Sequence, residues 1–118
     1  MLRDSNSFKH IYIACGYTDL RRGIDGLVAT IKGQFKLDPC AEESIFIFCG
    51  RRTDRIKAIV YERDGFLLLY KRLADGSFQW PRTSDEALQI TEQQFRWLME
   101  GLSVSQKKVI KEVRPRAF

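Results

Sequence analysis

The sequence predicts an α+β domain in which a strand and a helix precede a four-stranded antiparallel meander, and a second helix follows. Three observations favour this class. Apolar β-type runs are concentrated in residues 44–73, Asp64-Gly65 is a strong hairpin signal, and two other segments show helical periodicity. We expect both helices to pack on one face of a single sheet.

The first strand is predicted at residues 10–15, where a β-branched and aromatic run ends at Gly16. A helix then extends to about Lys36, with Thr18 placed to cap its start. Its apolar side chains recur with a helical period, at Leu20, Ile24, Leu27, Val28, Ile31 and Phe35. Pro39 prevents the helix from continuing.

Four consecutive strands make up the predicted meander. They are expected at Ser44–Cys49, Ile56–Arg63, Phe66–Leu73 and Ser77–Trp80. The first of them is apolar at successive positions, which predicts a central strand covered on both faces. The last ends at Pro81, which cannot donate to a ladder, so we place it at a sheet edge. Residues 82–90 are predicted to be a polar linker.

The second helix is predicted at residues 92–101. Thr91 and Gln94 have the spacing of a capping box, and an apolar stripe follows at Phe95, Leu98, Met99 and Leu102. At 118 residues the chain can bury a core of its own. We therefore expect one domain over residues 1–102 and a basic C-terminal tail over 103–118.

The composition is that of a globular protein, with 44% hydrophobic and 12% aromatic residues. No stretch approaches the roughly 18 apolar residues of a membrane helix, and no secretory leader is present, so we expect a cytoplasmic protein without membrane contact. The three cysteines lack the spacing of metal or redox sites. We interpret them as reduced and buried.

The net charge of +5 is unevenly distributed along the chain. Residues 51–82 carry eight basic and four acidic side chains, and residues 103–118 carry five and one. Clustered positive charge favours a polyanionic partner, because contacts to phosphates release counterions. Arg51, Arg52 and Arg55 surround Asp54 in one predicted turn, and a turn has no need of three arginines.

The corner arginines Arg51, Arg52 and Arg55, with Lys57 on the next strand, are the main candidates for phosphate contact. Candidates of second rank are Lys71, Arg72, the tail, Arg21 and Arg22. The last two lie where positive charge opposes a helix dipole, so either an anionic partner or an ion pair with a nearby aspartate would explain them.

Aromatic and basic residues are interleaved along the predicted meander, at Lys57, Tyr61, Tyr70, Lys71, Arg72, Trp80 and Arg82. Such interleaving is typical of platforms that stack unpaired bases. Ordinary cross-strand packing explains it equally well.

Catalysis and bound cofactors are not expected. His10 is the single histidine, so no histidine triad or zinc cluster of the usual type can form, and we place this residue on the surface at a strand start. The acidic residues fall mostly at turns and helix starts, where capping explains them. A small metal-dependent nuclease using Asp19 or Asp54 is left as an alternative.

Three long strings occur in order along the chain: IYIACGYTDLRRGIDGL at 11–27, FIFCGRRTDRIKAIVYERDGFLLLYKRL at 46–73 and LQITEQQFRWLMEGL at 88–102. In these strings the chain resembles the accessory TnpB proteins (second open reading frame) of the IS sixty-six family of bacterial insertion sequences. The resemblance implies a non-catalytic protein required alongside a separate, larger transposase. Gly50 and Thr53 stand where that family usually has asparagine and a further basic residue.

Two functional hypotheses follow. The first is an accessory factor in transposition that contacts DNA, or the complex of DNA with the element's transposase, through its basic surface. The alternative is an interaction module that binds the transposase or itself through the aromatic sheet face without touching DNA. Self-association is left open by the sequence.

Overall fold

The computed structural model describes residues 8–106 of the chain. Within this range the strands are β1 (His10–Ala14), β2 (Ser44–Cys49), β3 (Arg55–Glu62), β4 (Gly65–Arg72) and β5 (Ala87–Ile90), and the helices are α1 (Ile24–Gly33) and α2 (Glu92–Met99). The strands form one mixed sheet in the order β4-β3-β2-β1-β5. Strands β1 and β2 are parallel, and the other neighbours are antiparallel. An α+β domain with a single sheet is therefore confirmed.

The central strand β2 is buried at every position, as its apolar run predicts. Successive side chains of a strand point to opposite faces of the sheet. Ile45 and Ile47 accordingly belong to one core cluster, and Phe46 and Phe48 belong to another on the opposite face. Both faces of the sheet must therefore be covered by other parts of the chain.

The helices cover opposite faces of the sheet, so the prediction that they share one face is wrong. Leu27 and Ile31 of α1 pack in the cluster that contains Phe46, whereas Phe95 and Leu98 of α2 pack in the cluster that contains Ile47. The physical reason is the two-sided burial of β2. If both helices lay on the same face of the sheet, the apolar side chains on the other face of β2 would remain exposed to water.

The antiparallel meander has three strands rather than four. β2, β3 and β4 follow one another as predicted, but Ser77–Trp80 is not a strand. This segment belongs to the connection that leads from β4, at one edge of the sheet, to β5 at the other. Phe78 and Trp80 are buried beneath α2, and the Trp80 Nε1 donates to the Ala14 carbonyl at 2.7 Å. The edge strand lies instead at Ala87–Ile90, inside the predicted linker, where it pairs with β1.

Helix α1 begins five residues later than the predicted cap at Thr18 implies, because local hydrogen bonds compete with the helix. The Asp19 carboxylate accepts the backbone N–H of Arg21 at 3.0 Å, which holds a turn in place of a first helical turn. Gly23 then occupies the N-cap position. In α2, by contrast, both hydrogen bonds of the predicted capping box are formed. The Thr91 side chain accepts from the Gln94 backbone N–H, and the Gln94 side chain accepts from the Thr91 backbone N–H.

Two smaller predictions also need correction. The loop between β3 and β4 consists of Arg63 and Asp64, because Glu62 pairs with Gly65 and so shifts the turn one residue earlier. All three cysteines are free, but only two are buried. Cys40 is exposed in a surface turn, where its N–H donates to Asp38 Oδ1 at 2.9 Å.

His10 lies exposed at the start of β1, as predicted. The packed part of the chain reaches at least Val104, which is buried against the core on the α2 side. The remainder of the predicted tail, residues 107–118, lies outside the described residues. Among residues 8–106, no helix is long and apolar enough to cross a membrane.

Replacing Trp80 with phenylalanine is expected to lower the free energy of unfolding by about 1–3 kcal/mol, because the buried Ala14 carbonyl loses its donor. Chemical denaturation measures the change. Ser77→Ala, at an exposed position of the same segment, is the control and is expected to stay within about 0.5 kcal/mol of the wild type. A Trp80 variant as mild as this control would contradict the anchoring role of Trp80.

Candidate nucleic-acid interface

An open groove of about 990 Å³ lies on the α1 side of the sheet. Its walls are the loop of residues 17–22, the corner of residues 50–55, and the ends of β3 and β4 around Lys57 and Tyr70. Because β1 and β2 are parallel, the loop after β1 and the corner after β2 leave the sheet at the same end. We call this feature the cationic groove.

Close contact between the loop and the corner shapes the cationic groove. The Thr18 N–H donates to the Cys49 carbonyl at 3.0 Å. A Cβ atom at Gly50 would lie 3.2 Å from Cγ of Leu20, so a glycine at this position lets the two segments approach. The loop is thereby fixed beside the corner although the two are far apart in sequence.

Six of the eight predicted site residues line the cationic groove: Arg21, Arg22, Arg51, Arg52, Arg55 and Lys57. Arg72 lies beside them on the same face, because it is the register partner of Arg55. Lys71 pairs with Ile56 instead, and the alternation of the strand places it on the opposite face. The structure thus brings most of the candidates together and separates Lys71 from them.

The two arginines of the loop have different environments. Arg21 forms a bidentate ion pair with Asp19, with both nitrogen–oxygen distances at 2.9 Å, and its side chain is 92% exposed. Arg22 Nη1 donates instead to Thr30 Oγ1 at 2.9 Å, and its backbone carbonyl accepts from Lys57 Nζ at 3.1 Å. Arg21 therefore faces solvent, while Arg22 joins the loop to α1 and β3.

The corner arginines share one carboxylate. Asp54 accepts from Arg55 Nε at 2.9 Å and from Arg52 Nη2 at 3.3 Å. The hydrogen bond from Arg55 is the main cause that lowers the pKa of Asp54. Arg51 has no carboxylate partner among the described residues, and its guanidinium lies 5.4 Å from the centre of the Tyr17 ring. Arg51 is therefore the least neutralised cation of the corner.

Positive charge dominates the cationic groove. Its six basic side chains are opposed by Asp19 and by Asp54 directly behind the corner, which leaves an excess of four positive charges. Both carboxylates are already paired with arginines. Within residues 8–106, no group of three or more histidine, cysteine or acidic residues is arranged to hold a metal ion. The chemistry that this surface supports is the binding of anions.

Two exposed tyrosines add aromatic surface to the groove. Tyr70, one of the predicted platform residues, is 53% exposed there, and Tyr17 is 62% exposed. The other two predicted aromatics lie elsewhere. Trp80 is buried, and Tyr61 packs edge-on against Phe66 at 5.1 Å.

Sequence reasoning did not single out Tyr17, and it named Arg82 only as one of the basic residues of the predicted platform. The Arg82 guanidinium lies 4.2 Å from the centre of the Tyr17 ring and donates to the backbone carbonyls of Gly16 and Gly50. Arg82 thus joins the connection between β4 and β5 to the residues that follow β1 and β2. No local pattern signals this role, because the three segments meet only in the folded sheet.

The fold is that of a small α+β domain, and it carries a cationic, tyrosine-containing groove. A family model described as IS66 Orf2 like protein matches residues 9–109, and the chain belongs to that family. It is 35% identical over 98 residues to the uncharacterized protein y4jC of Sinorhizobium fredii, a match that covers 83% of each chain. Uncharacterized protein y4hO of the same organism is 34% identical over 92 residues, covering 78% of this chain and 79% of the relative. No solved structure matches the chain.

The Asp19 carboxyl is expected to titrate with a pKa of about 2, because Arg21 hydrogen-bonds its charged form. Arg21→Gln should return this pKa toward the ordinary value of about 3.9. Since the folded-state pKa is lowered, the stabilisation is present above the unfolded value and is lost as the pH falls toward 2.

Carboxyl-carbon NMR titration measures this pKa. Arg22→Gln is the comparison and should raise this pKa less than Arg21→Gln does, because the Arg22 guanidinium bonds Thr30 and acts on Asp19 only as a neighbouring charge. An Asp19 pKa that is unchanged by Arg21→Gln would show that the ion pair is not formed in solution.

Proposed function

We propose that this protein is a non-catalytic accessory factor in the transposition of an insertion sequence, and that its cationic groove contacts the phosphates of DNA. Membership of the IS66 Orf2-like family supports the role in an insertion sequence, since that family is an accessory one with no known catalytic activity. One observation carries the DNA contact. Six cations from two separated segments of the chain, residues 21–22 and residues 51–57, converge on one groove.

The pattern of pairing within the groove favours an external anion. Folding alone would be served by ion pairs that neutralise one another, yet four charges remain in excess. Arg51 and the highly exposed Arg21 can reach a ligand without breaking a buried contact. Arginine forks match phosphate oxygens, and each phosphate contact releases counterions from DNA.

The partner in this proposal is DNA alone or DNA already bound by the element's transposase. An interaction module that never touches DNA has less support. Within residues 8–106 the exposed leucines are Leu67 on β4 and Leu88 on β5, at opposite edges of the sheet, and Leu102 after α2. Scattered apolar residues of this kind are normal on protein surfaces. The exposed tyrosines lie inside the cationic groove, where a protein partner would have to be acidic.

The double variant Arg51→Gln/Arg52→Gln is expected to bind duplex DNA carrying the element's ends more weakly than the wild type. It should also flatten the dependence of log K on log salt by up to about 0.9 for each phosphate that the variant no longer neutralises. Fluorescence anisotropy across a salt series measures both effects. The matched control is Arg63→Gln/Arg96→Gln, which removes the same charge at exposed positions outside the groove.

Three results would contradict the proposal. They are no binding to the duplex, binding that is insensitive to salt, and an equal reduction of affinity in the control variant. If the protein instead co-purifies with the transposase after nuclease treatment while failing to bind DNA, the interaction module becomes the better explanation.

A further inference from the structure

We propose that the cationic groove binds unpaired nucleotides of DNA, with Tyr17 and Tyr70 stacking on exposed base faces while the arginines hold the phosphates. This inference rests on the proposed function and names the form of DNA that the groove takes. In a closed duplex the base faces are covered by their neighbours, so a protein ring can reach them only where the strand is unpaired.

The first observation is where the exposed aromatic surface lies. Most aromatic rings of the described chain contribute to packing, for example Tyr12, which stacks on Phe46 at 5.2 Å. Tyr17 and Tyr70 differ, since they are 62% and 53% exposed and both line the same groove. Tyr17 lies in the loop after β1 and Tyr70 lies on β4. The two exposed rings are therefore brought into one groove by the fold and not by proximity in the sequence.

The second observation is that each ring is held by cations. Arg82 lies 4.2 Å from the centre of the Tyr17 ring and is itself fixed by the carbonyls of Gly16 and Gly50. On β4, Lys57 Nζ lies 5.8 Å from the centre of the Tyr70 ring. A cation over the face of an aromatic ring limits the ring's freedom before a ligand binds, which reduces the entropic cost of binding. A base would stack on the ring surface that the cations leave open, and Tyr17 and Tyr70 remain 62% and 53% exposed.

The third observation is that phosphate-binding groups lie next to both rings. The Arg51 guanidinium lies 5.4 Å from the centre of the Tyr17 ring and has no carboxylate partner among the described residues. Arg55, which is paired with Asp54, lines the same groove as Tyr70. Leu20 and Leu68 add apolar surface to the lining of the same groove. Alternation of cations, apolar surface and rings in one concave site matches a strand whose bases and phosphates are both accessible.

The experiment compares three probes of one sequence by fluorescence anisotropy at one salt concentration: a single DNA strand, its closed duplex, and the same strand as RNA. We expect the wild type to bind the single DNA strand more tightly than the duplex. Tyr17→Leu and Tyr70→Leu should each weaken single-strand binding by about 5- to 140-fold, the equivalent of one base–aromatic stack. Their duplex binding should change little, because phosphate contacts remain.

Two control variants separate stacking from other effects. Tyr17→Phe keeps the ring and is expected to retain single-strand binding. Tyr61→Leu removes a half-buried tyrosine outside the groove and should leave the preference for single strands unchanged. Thermal unfolding of every variant shows whether weaker binding reflects loss of the fold.

The possible outcomes separate this inference from the proposed function. If Arg51→Gln/Arg52→Gln weakens both DNA probes while the leucine variants weaken neither, the groove contacts phosphates only and the stacking inference is wrong. Tighter binding of the duplex, or of the RNA strand, would also overturn it. If no probe binds, the proposed function fails and the inference fails with it.

Discussion

The fold depends on the two-sided burial of β2. A strand whose six residues are all buried can be stable only if apolar groups cover both faces of the sheet. In this chain α1 covers one face, and α2 together with Phe78 and Trp80 covers the other. The long connection from β4 to β5 follows from this constraint, because it carries the chain from one edge of the sheet to the other and supplies part of the second cover.

The central position of β2 also determines where the cationic groove lies. β2 pairs in parallel with β1, so the loop after β1 lies beside the corner after β2, and both segments contain arginines. Asp19 and Asp54 reduce the repulsion without cancelling it. Arg82 connects the two segments, because its guanidinium donates to the carbonyls of Gly16 and Gly50. It also lies near the thiol of Cys49, and burial raises the pKa of that thiol to about 11. The site is thus supported by backbone that directly follows β1 and β2.

Family membership and geometry bear on different parts of the function. The IS66 Orf2-like assignment connects the chain with insertion sequences, and relatives from Sinorhizobium fredii match it over most of both chains. Neither relative is characterized, so the molecular role has to be argued from the surface. On that surface the charged and aromatic features coincide in one groove, which favours a ligand that offers both phosphates and bases.

Local chemistry was enough to predict β1 to β4, the capping box of α2 and the arginine-rich corner, because apolar runs, turn residues and caps act over a few positions. Local chemistry did not predict the parts of the structure that depend on contacts between segments distant in the sequence. Ala87–Ile90 is short and partly polar, and it becomes a strand only because β1 offers it a free edge. Ser77–Trp80 has a strand-like composition, but burial of its aromatic rings against the sheet decides its conformation. Likewise, the corner arginines are evident in the sequence, whereas their neighbours Tyr17 and Arg82 join them only through long-range packing.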